Sequence, residues 1–203
     1  MRIAVLASGR GSNLARILEA TRTGLLSAEV ALVVVNRPGV GAETIARDAG
    51  VPVVLEDDRG HPDRGAHERA IARALAAHGI ELVVLAGYMR ILTPFLVGFL
   101  YDPELGQSRI VNIHPADPAR YRGPDGYGWA IATGQSETAV TVHFVDEGLD
   151  TGLPLRQETV PVEPGDTLDT LRARGLAVEH RIFPEALRDL VARLKGATPC
   201  VAS

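Results

Sequence analysis

Short apolar runs alternate with amphipathic stretches along the first hundred residues. Residues 3–7 are apolar without interruption, the pattern of a strand buried on both faces. The run breaks at Ser8-Gly9-Arg10-Gly11, and Ser12-Asn13 opens a segment with Leu14, Ile17 and Leu18 on one helical face. Further strands are predicted at 30–35, closed by Asn36-Arg37-Pro38-Gly39, at 53–55, with Pro52 at the entrance, and at 82–86. Helices are predicted at 42–48 and at 67–77, the latter with Ala70, Ile71, Leu75 and Ala76 inward. Four strands alternating with helices imply parallel, right-handed βαβ units.

After Arg109-Ile110-Val111-Asn112 the pattern changes. A Gly- and Pro-rich stretch over 115–128 reads as a long loop, followed by strands at 139–145 and 157–162. Asp166 or Thr167 caps a last helix with Leu168, Leu171, Val178 and Ile182 on one stripe, and Pro184 predicts a kink or a restart. Residues 196–203 read as a flexible tail. With no repeat and no linker, the expectation is one domain over 1–195.

Ala, Val and Leu fill a chain that is 46% apolar and only 4% aromatic, which suits helices laid on a buried sheet. A formal net charge of -4 speaks against a nucleic-acid partner. No stretch is long enough to span a membrane, and the apolar start is too short for a signal peptide. Cys200 is alone, which fits a reducing compartment, so a cytoplasmic location is expected.

Three constellations could carry chemistry. The turn Ser8-Gly9-Arg10-Gly11-Ser12-Asn13 lies between a strand and a helix, where glycines and free N–H groups suit an anion. It lacks the third glycine of a dinucleotide fingerprint and the Gly-Lys-Ser/Thr ending of a Walker loop, so a single phosphate fits better. An ordinary strand-to-helix turn has the same composition. In Asn112-Ile113-His114-Pro115, at a strand end, alternation puts the amide and the imidazole on one side, where they could polarise a carbonyl and shuttle a proton. A histidine satisfying loop backbone is the plain alternative. His143-Phe144-Val145-Asp146-Glu147-Gly148-Leu149-Asp150-Thr151-Gly152 carries three carboxylates out of a strand, and one of them beside His114 would raise and orient that imidazole. No histidine or cysteine spacing suits a metal, and no metal is expected.

In this order these pieces resemble the phosphoribosylglycinamide formyltransferases of purine synthesis, from residue 1 to about 190. The likeness is carried by Ser8-Gly9-Arg10-Gly11-Ser12-Asn13-Leu14, Val84-Leu85-Ala86-Gly87-Tyr88-Met89-Arg90-Ile91-Leu92, Asn112-Ile113-His114-Pro115, Val142-His143-Phe144-Val145 with Leu149-Asp150-Thr151-Gly152, and Val178-Glu179-His180. The resemblance implies an α/β fold with a Rossmann-like, open, mostly parallel sheet flanked by helices. Residues 1–100 would form the phosphate-binding half and 101–195 the catalytic and folate-binding half.

It also implies two small-molecule substrates, 10-formyltetrahydrofolate and a phosphorylated glycinamide, in a monomer or homodimer. Gly11, Ser12 and Asn13 would hold the acceptor's phosphate, with Pro115 beside it, and Glu179 would meet its amine. Met89, Arg90, Ile91 and Leu92 would line the folate pocket, Asp146, Glu147, Gly148, Leu149 and Asp150 would surround the pterin, and Arg64 would face the glutamate tail. The amine would attack the formyl carbon to form a tetrahedral oxyanion, which Asn112 and His114 stabilise. His114, its pKa raised by Asp150, would relay the proton.

The chain departs from the family after Pro115. Ala116-Asp117-Pro118-Ala119 stands for the usual Ser-Leu-Leu-Pro, and Pro124-Asp125-Gly126-Tyr127-Gly128-Trp129 replaces a segment that commonly carries a histidine. The departure flanks the acceptor side, which leaves an amino sugar nucleotide, or water in a formyltetrahydrofolate hydrolase, as alternative acceptors. A methionyl-tRNA formyltransferase would be expected to carry an added RNA-binding domain and more positive charge.

Overall fold

The computed structural model describes residues 1–196. Residues 197–203, with Cys200 and nearly all of the expected tail, lie outside the described residues. The first half runs β1 (Arg2–Ala7), α1 (Ser12–Arg22), β2 (Glu29–Val35), α2 (Gly41–Asp48), β3 (Val53–Leu55), α3 (Arg64–Ala77), β4 (Leu82–Leu85) and α4 (Pro94–Phe99). A small hairpin, β5 (Tyr101–Asp102) and β6 (Gln107–Ser108), leads to β7 (Ile110–His114), α5 (Gly126–Ala132), β8 (Glu137–Phe144), β9 (Pro154–Pro161) and α6 (Leu168–Leu194).

Seven strands form one sheet in the order β3-β2-β1-β4-β7-β8-β9. Strands β3 to β7 of this order are parallel, while β8 and β9 are added antiparallel. Chain order reverses between β1 and β4, so their carboxyl ends flank the crevice where open α/β sheets bind ligands. The uniform apolar runs follow from burial on both faces. Ile3, Val5 and Ala7 pack with α1, α2, α5 and α6, whereas Ala4 and Leu6 pack with α3 and α4.

Local chemistry sets the helix limits. Thr167 and Thr170 form a reciprocal capping box at the start of α6. Asp63 caps α3 by accepting the Ala66 N–H at 2.7 Å. By contrast, α1 starts after Gly11 in the left-handed region (φ 80°) with no side chain capping its first N–H groups.

Three sequence expectations need correction. Ala76 is exposed, because the last turn of α3 extends beyond the buried arc, and Ala72 takes its place inward with Ala70, Ile71 and Leu75. The 115–128 loop is shorter than its composition suggests, since Asp125 caps α5 by accepting the Gly128 N–H at 3.2 Å. Gly126 is in that helix because a Cβ there would strike the Pro115 carbonyl, so a residue that reads as loop is a packing requirement. Pro184 does not restart α6, which runs from Leu168 to Leu194 as one helix with Phe183, Pro184 and Leu187 all buried. The short α4, with Pro94 in its first turn, and the β5–β6 hairpin were not legible from periodicity.

Gly11 ties this fold to its crevice, since a Cβ on it would stand 2.7 Å from Ala42 Cα in a backbone conformation that L-residues avoid. Gly11→Ala is expected to cost about 1–3 kcal/mol, lowering the melting temperature by roughly 2–12 °C for a chain of this size. An unchanged calorimetric melt would contradict that packing.

Candidate active site

Strand β7 ends on Asn112-Ile113-His114, with Ile113 turned into the core and the two polar residues on the other side. The antiparallel register sets Asn112 directly opposite His143 and His114 opposite Thr141. Beyond β8 the chain turns and comes back, closed by the Phe144 N–H donating to the Leu153 carbonyl at 2.9 Å. Within this turn Asp150 has φ 51°, the only non-glycine with positive φ among the described residues. Such a conformation costs of order 1–3 kcal/mol and persists only where its surroundings enforce it.

That backbone aims the Asp150 carboxylate at three side chains. One oxygen lies 3.4 Å from His114 Nδ1; the other lies 3.6 Å from His143 Nε2 and accepts from Asn112 Nδ2 at 3.4 Å. Burial pushes the Asp150 carboxyl up, but the His143 contact, the two imidazoles and the Gly123 N–H outweigh it and hold the group below its ordinary value. His114 Nε2 lies 3.0 Å from the Tyr121 carbonyl, which can only accept, so this nitrogen carries the hydrogen. Likewise His143 Nδ1 donates to the Phe144 carbonyl at 2.7 Å. A further proton on His114 therefore goes to Nδ1, on the Asp150 side.

The expected rise in the His114 pKa is not found. Burial of the ring lowers it, and although Asp150 and the Tyr121 carbonyl pull upward, desolvation wins, with the neighbouring His143 adding to the fall. The ring is therefore neutral at pH 7.

A cavity of about 430 Å³ opens in front of these groups, between residues 85–92 and residues 143–150. The segment after β4 is pinned at both ends. The Met89 N–H donates to Ser8 Oγ at 2.8 Å, and the Thr93 N–H donates to the buried Glu68 carboxylate at 2.8 Å. Arg90 pairs with Asp58 between those anchors. Met89, Ile91 and Leu149 expose 59%, 51% and 44% of their surface around this cavity, apolar faces suited to a flat, partly apolar ligand.

A second cavity of about 340 Å³ lies over the turn at residues 9–13, with Arg10 and Arg172 in its wall. The uncapped start of α1 and two guanidinium groups make this an anion-binding environment. The two cavities share Asn13, Gly87, Met89, Pro115, Pro124 and Glu179. Glu179 is buried; one oxygen accepts Asn13 Nδ2 at 2.8 Å and the other the Tyr127 hydroxyl at 2.9 Å. Burial raises its pKa, against the pull of these two hydrogen bonds. Asn13 Oδ1 is buried and, among the described residues, has no hydrogen-bond partner.

The family model described as formyl transferase matches residues 1–187. The chain belongs to the formyl transferase family. It is 42% identical to the phosphoribosylglycinamide formyltransferase of Mycobacterium tuberculosis over 93% of this chain and 84% of that protein. It is 38% identical to the trifunctional purine biosynthetic protein adenosine-3 of Drosophila melanogaster over 100% of this chain, which spans 15% of that longer protein. Its fold matches the crystal structure of phosphoribosylglycinamide formyltransferase from Bacillus halodurans with a TM-score of 0.90 at 38% identity, covering 96% of this chain and 97% of that one.

In this formyl transferase most site residues expected from sequence lie on the two cavities. Asn112, His114, Asp150, Met89, Arg90, Ile91, Leu92, Asp146, Gly148 and Leu149 line the larger, Gly11 and Ser12 the smaller, and Asn13, Pro115 and Glu179 both. Two do not join them. Glu147 is exposed and is not part of the lining, and Arg64 is exposed at the start of α3, 3.8 Å from Glu68. Among the described residues no group of three or more His, Cys, Asp or Glu side chains could hold a metal ion.

Sequence reasoning gave no role to His143, Tyr127 or the Tyr121 carbonyl of this formyl transferase. For His143 a signal existed, its place on an alternating strand, but the register that sets it against Asn112 is a tertiary fact. Because Asp150 lifts the His114 pKa against burial, Asp150→Asn is expected to push it lower still. A pH titration of the His114 Cε1 resonance checks this; a rise, or no change, would contradict the geometry.

Proposed function

We propose that this formyl transferase moves the formyl group of 10-formyltetrahydrofolate to the amine of 5-phosphoribosylglycinamide in de novo purine biosynthesis, as a cytoplasmic enzyme acting on small molecules. The observation that carries this reading is the junction of the two cavities beside His114. An anion-binding cavity and a larger, partly apolar one meet at Asn13 and Glu179, with Asn112, His114 and Asp150 on the wall of the larger. An enzyme that brings a phosphorylated amine to a folate needs two such chambers with acid–base groups at their junction.

The N–H groups of the 11–13 turn, the Ser12 hydroxyl, Arg10 and Arg172 would hold the acceptor's phosphate. Asn13 Nδ2 is committed to Glu179, which leaves the backbone of the turn for the anion. Glu179 would receive the amine. On the other side, Met89, Ile91, Leu92 and Leu149 would clasp the pterin and Arg90 would flank it, with Asp146, Gly148 and Asp150 at its polar edge. Arg64, exposed at the start of α3, would be the partner for the glutamate tail.

The folate supplies a formyl carbon on N10 that is open to attack by an amine. Asn112 would donate toward the oxygen on which negative charge develops, a contribution of roughly 3–4 kcal/mol for one well-placed donor. Neutral His114 offers Nδ1 to take the proton that the attacking amine loses, Asp150 stabilises the imidazolium that results, and the C–N10 bond then breaks with that proton passed on to N10 of the departing tetrahydrofolate.

Following deformylation of 10-formyltetrahydrofolate optically, with and without phosphoribosylglycinamide, tests the reading. Turnover is expected only with the glycinamide, and His114→Ala is expected to lower it roughly 10²–10⁴-fold with folate affinity little changed. Turnover without any acceptor would mark a hydrolase, and turnover only with an amino sugar nucleotide would replace the acceptor.

A further inference from the structure

We infer that Tyr127 is a positioning residue for Glu179, its phenol hydroxyl donating to one carboxylate oxygen so that, together with Asn13, it fixes the carboxylate that receives the acceptor's amine. The inference rests on the acceptor reading above and adds to it the residue that prepares Glu179.

Three independent features of the structure converge on this contact. The first is the pair of hydrogen bonds itself. Each Glu179 oxygen has one donor, Asn13 from α1 and Tyr127 from α5, and among the described residues no other side chain hydrogen-bonds the carboxylate. Two donors from different helices remove the freedom of the carboxylate to rotate about its last bond, and both favour the charged form.

The second is Gly175, one turn before Glu179 on α6. Glycine in mid-helix is disfavoured, yet a Cβ here would collide with the ring and hydroxyl of Tyr127. A helix position has been left without a side chain where the phenol passes. The third is the seating of α5. Gly126 packs against the carbonyl of Pro115, the residue after His114, so the helix carrying Tyr127 is located by the same strand end that carries the histidine.

The phenol serves as a fixed donor and holds its proton. Burial and the adjacent Glu179 charge push its pKa far above the usual tyrosine value, and Arg172 only partly opposes them. Arg172 on the same helix, Arg10 in the 9–13 turn and Asp125 at the start of α5 share the wall of the smaller cavity with Glu179, and Arg90, His114, His143, Asp146 and Asp150 share that of the larger, while only the neutral donors Asn13 and Tyr127 hydrogen-bond the carboxylate among the described side chains. Tyr127 also falls within the segment where the chain departs from the family pattern, so the departure carries its own support for Glu179.

Tyr127→Phe keeps the ring that packs against Gly175 and removes only the hydroxyl. It is expected to leave the melting temperature close to that of the parent and the KM for folate unchanged. The kcat/KM for the phosphorylated acceptor is expected to fall roughly 10–100-fold, with the acidic limb of its pH profile moving to higher pH because the carboxyl loses a donor to its charged form. In parallel, the Glu179 side-chain carboxyl is titrated by carbon-13 NMR without substrates, assigned with Glu179→Gln. Its pKa is expected to rise in Tyr127→Phe. An unchanged carboxyl titration together with unchanged acceptor kinetics overturns the inference. If the parent shows no acceptor-dependent turnover, the functional reading fails instead, and the carboxyl titration alone still decides whether Tyr127 positions Glu179.

Discussion

A central sheet covered on both faces constrains everything else in this molecule. Strands β1, β4 and β7 have no solvent-facing side, so their backbone groups pair within the sheet and their side chains are apolar almost throughout. Polar chemistry can be accommodated only where these strands end. Their carboxyl ends lie side by side, and Gly87 and Pro115, which lie just beyond β4 and β7, line both cavities. Ser8 shows the economy of the arrangement: its N–H donates to the Gly87 carbonyl at 3.1 Å and its hydroxyl accepts the Met89 N–H at 2.8 Å, locking two strand ends together.

The antiparallel addition of β8 gives the site its second wall. It sets His143 against Asn112 and returns the chain so that Asp150, in a conformation unusual for any residue but glycine, faces two imidazoles. The buried Glu179 at the junction and the half-buried Asp150 in the larger cavity are driven in opposite directions. Asp150, with imidazoles and an N–H around it, stays ionised, whereas Glu179, surrounded by neutral donors, is raised by burial. Two groups of the same type thereby acquire different proton affinities on opposite sides of one junction, a pattern suited to receiving an amine at one and stabilising a protonated imidazole at the other.

The regular part of this architecture was legible in the sequence because periodicity reports burial. Residues 3–7, 30–35 and 82–86 read as strands since both of their faces are covered, and the Asn112/His114 pair read as a site by alternation at a strand end. Composition misled where tertiary contacts decide. Gly126 and Gly128 look like loop residues yet open α5, because one packs on a carbonyl and the other on its cap. The His114 pKa was misjudged for a related reason: a neighbouring carboxylate can be guessed from sequence, but the burial that outweighs it cannot. Tyr127 escaped notice because its meaning depends on Gly175 and Glu179, some fifty residues away in the chain.

In the proposed function, two cavities meeting at Asn13 and Glu179 bring a phosphorylated amine to a folate. A crystal structure with phosphoribosylglycinamide and an unreactive folate analogue bound together tests this most directly. The phosphate is expected on the N–H groups of the 11–13 turn, the amine against Glu179, and the pterin between residues 89–92 and 146–150, with its N10 side toward Asn112 and His114. A phosphate bound away from that turn, or a folate that leaves the 89–92 segment untouched, would contradict it.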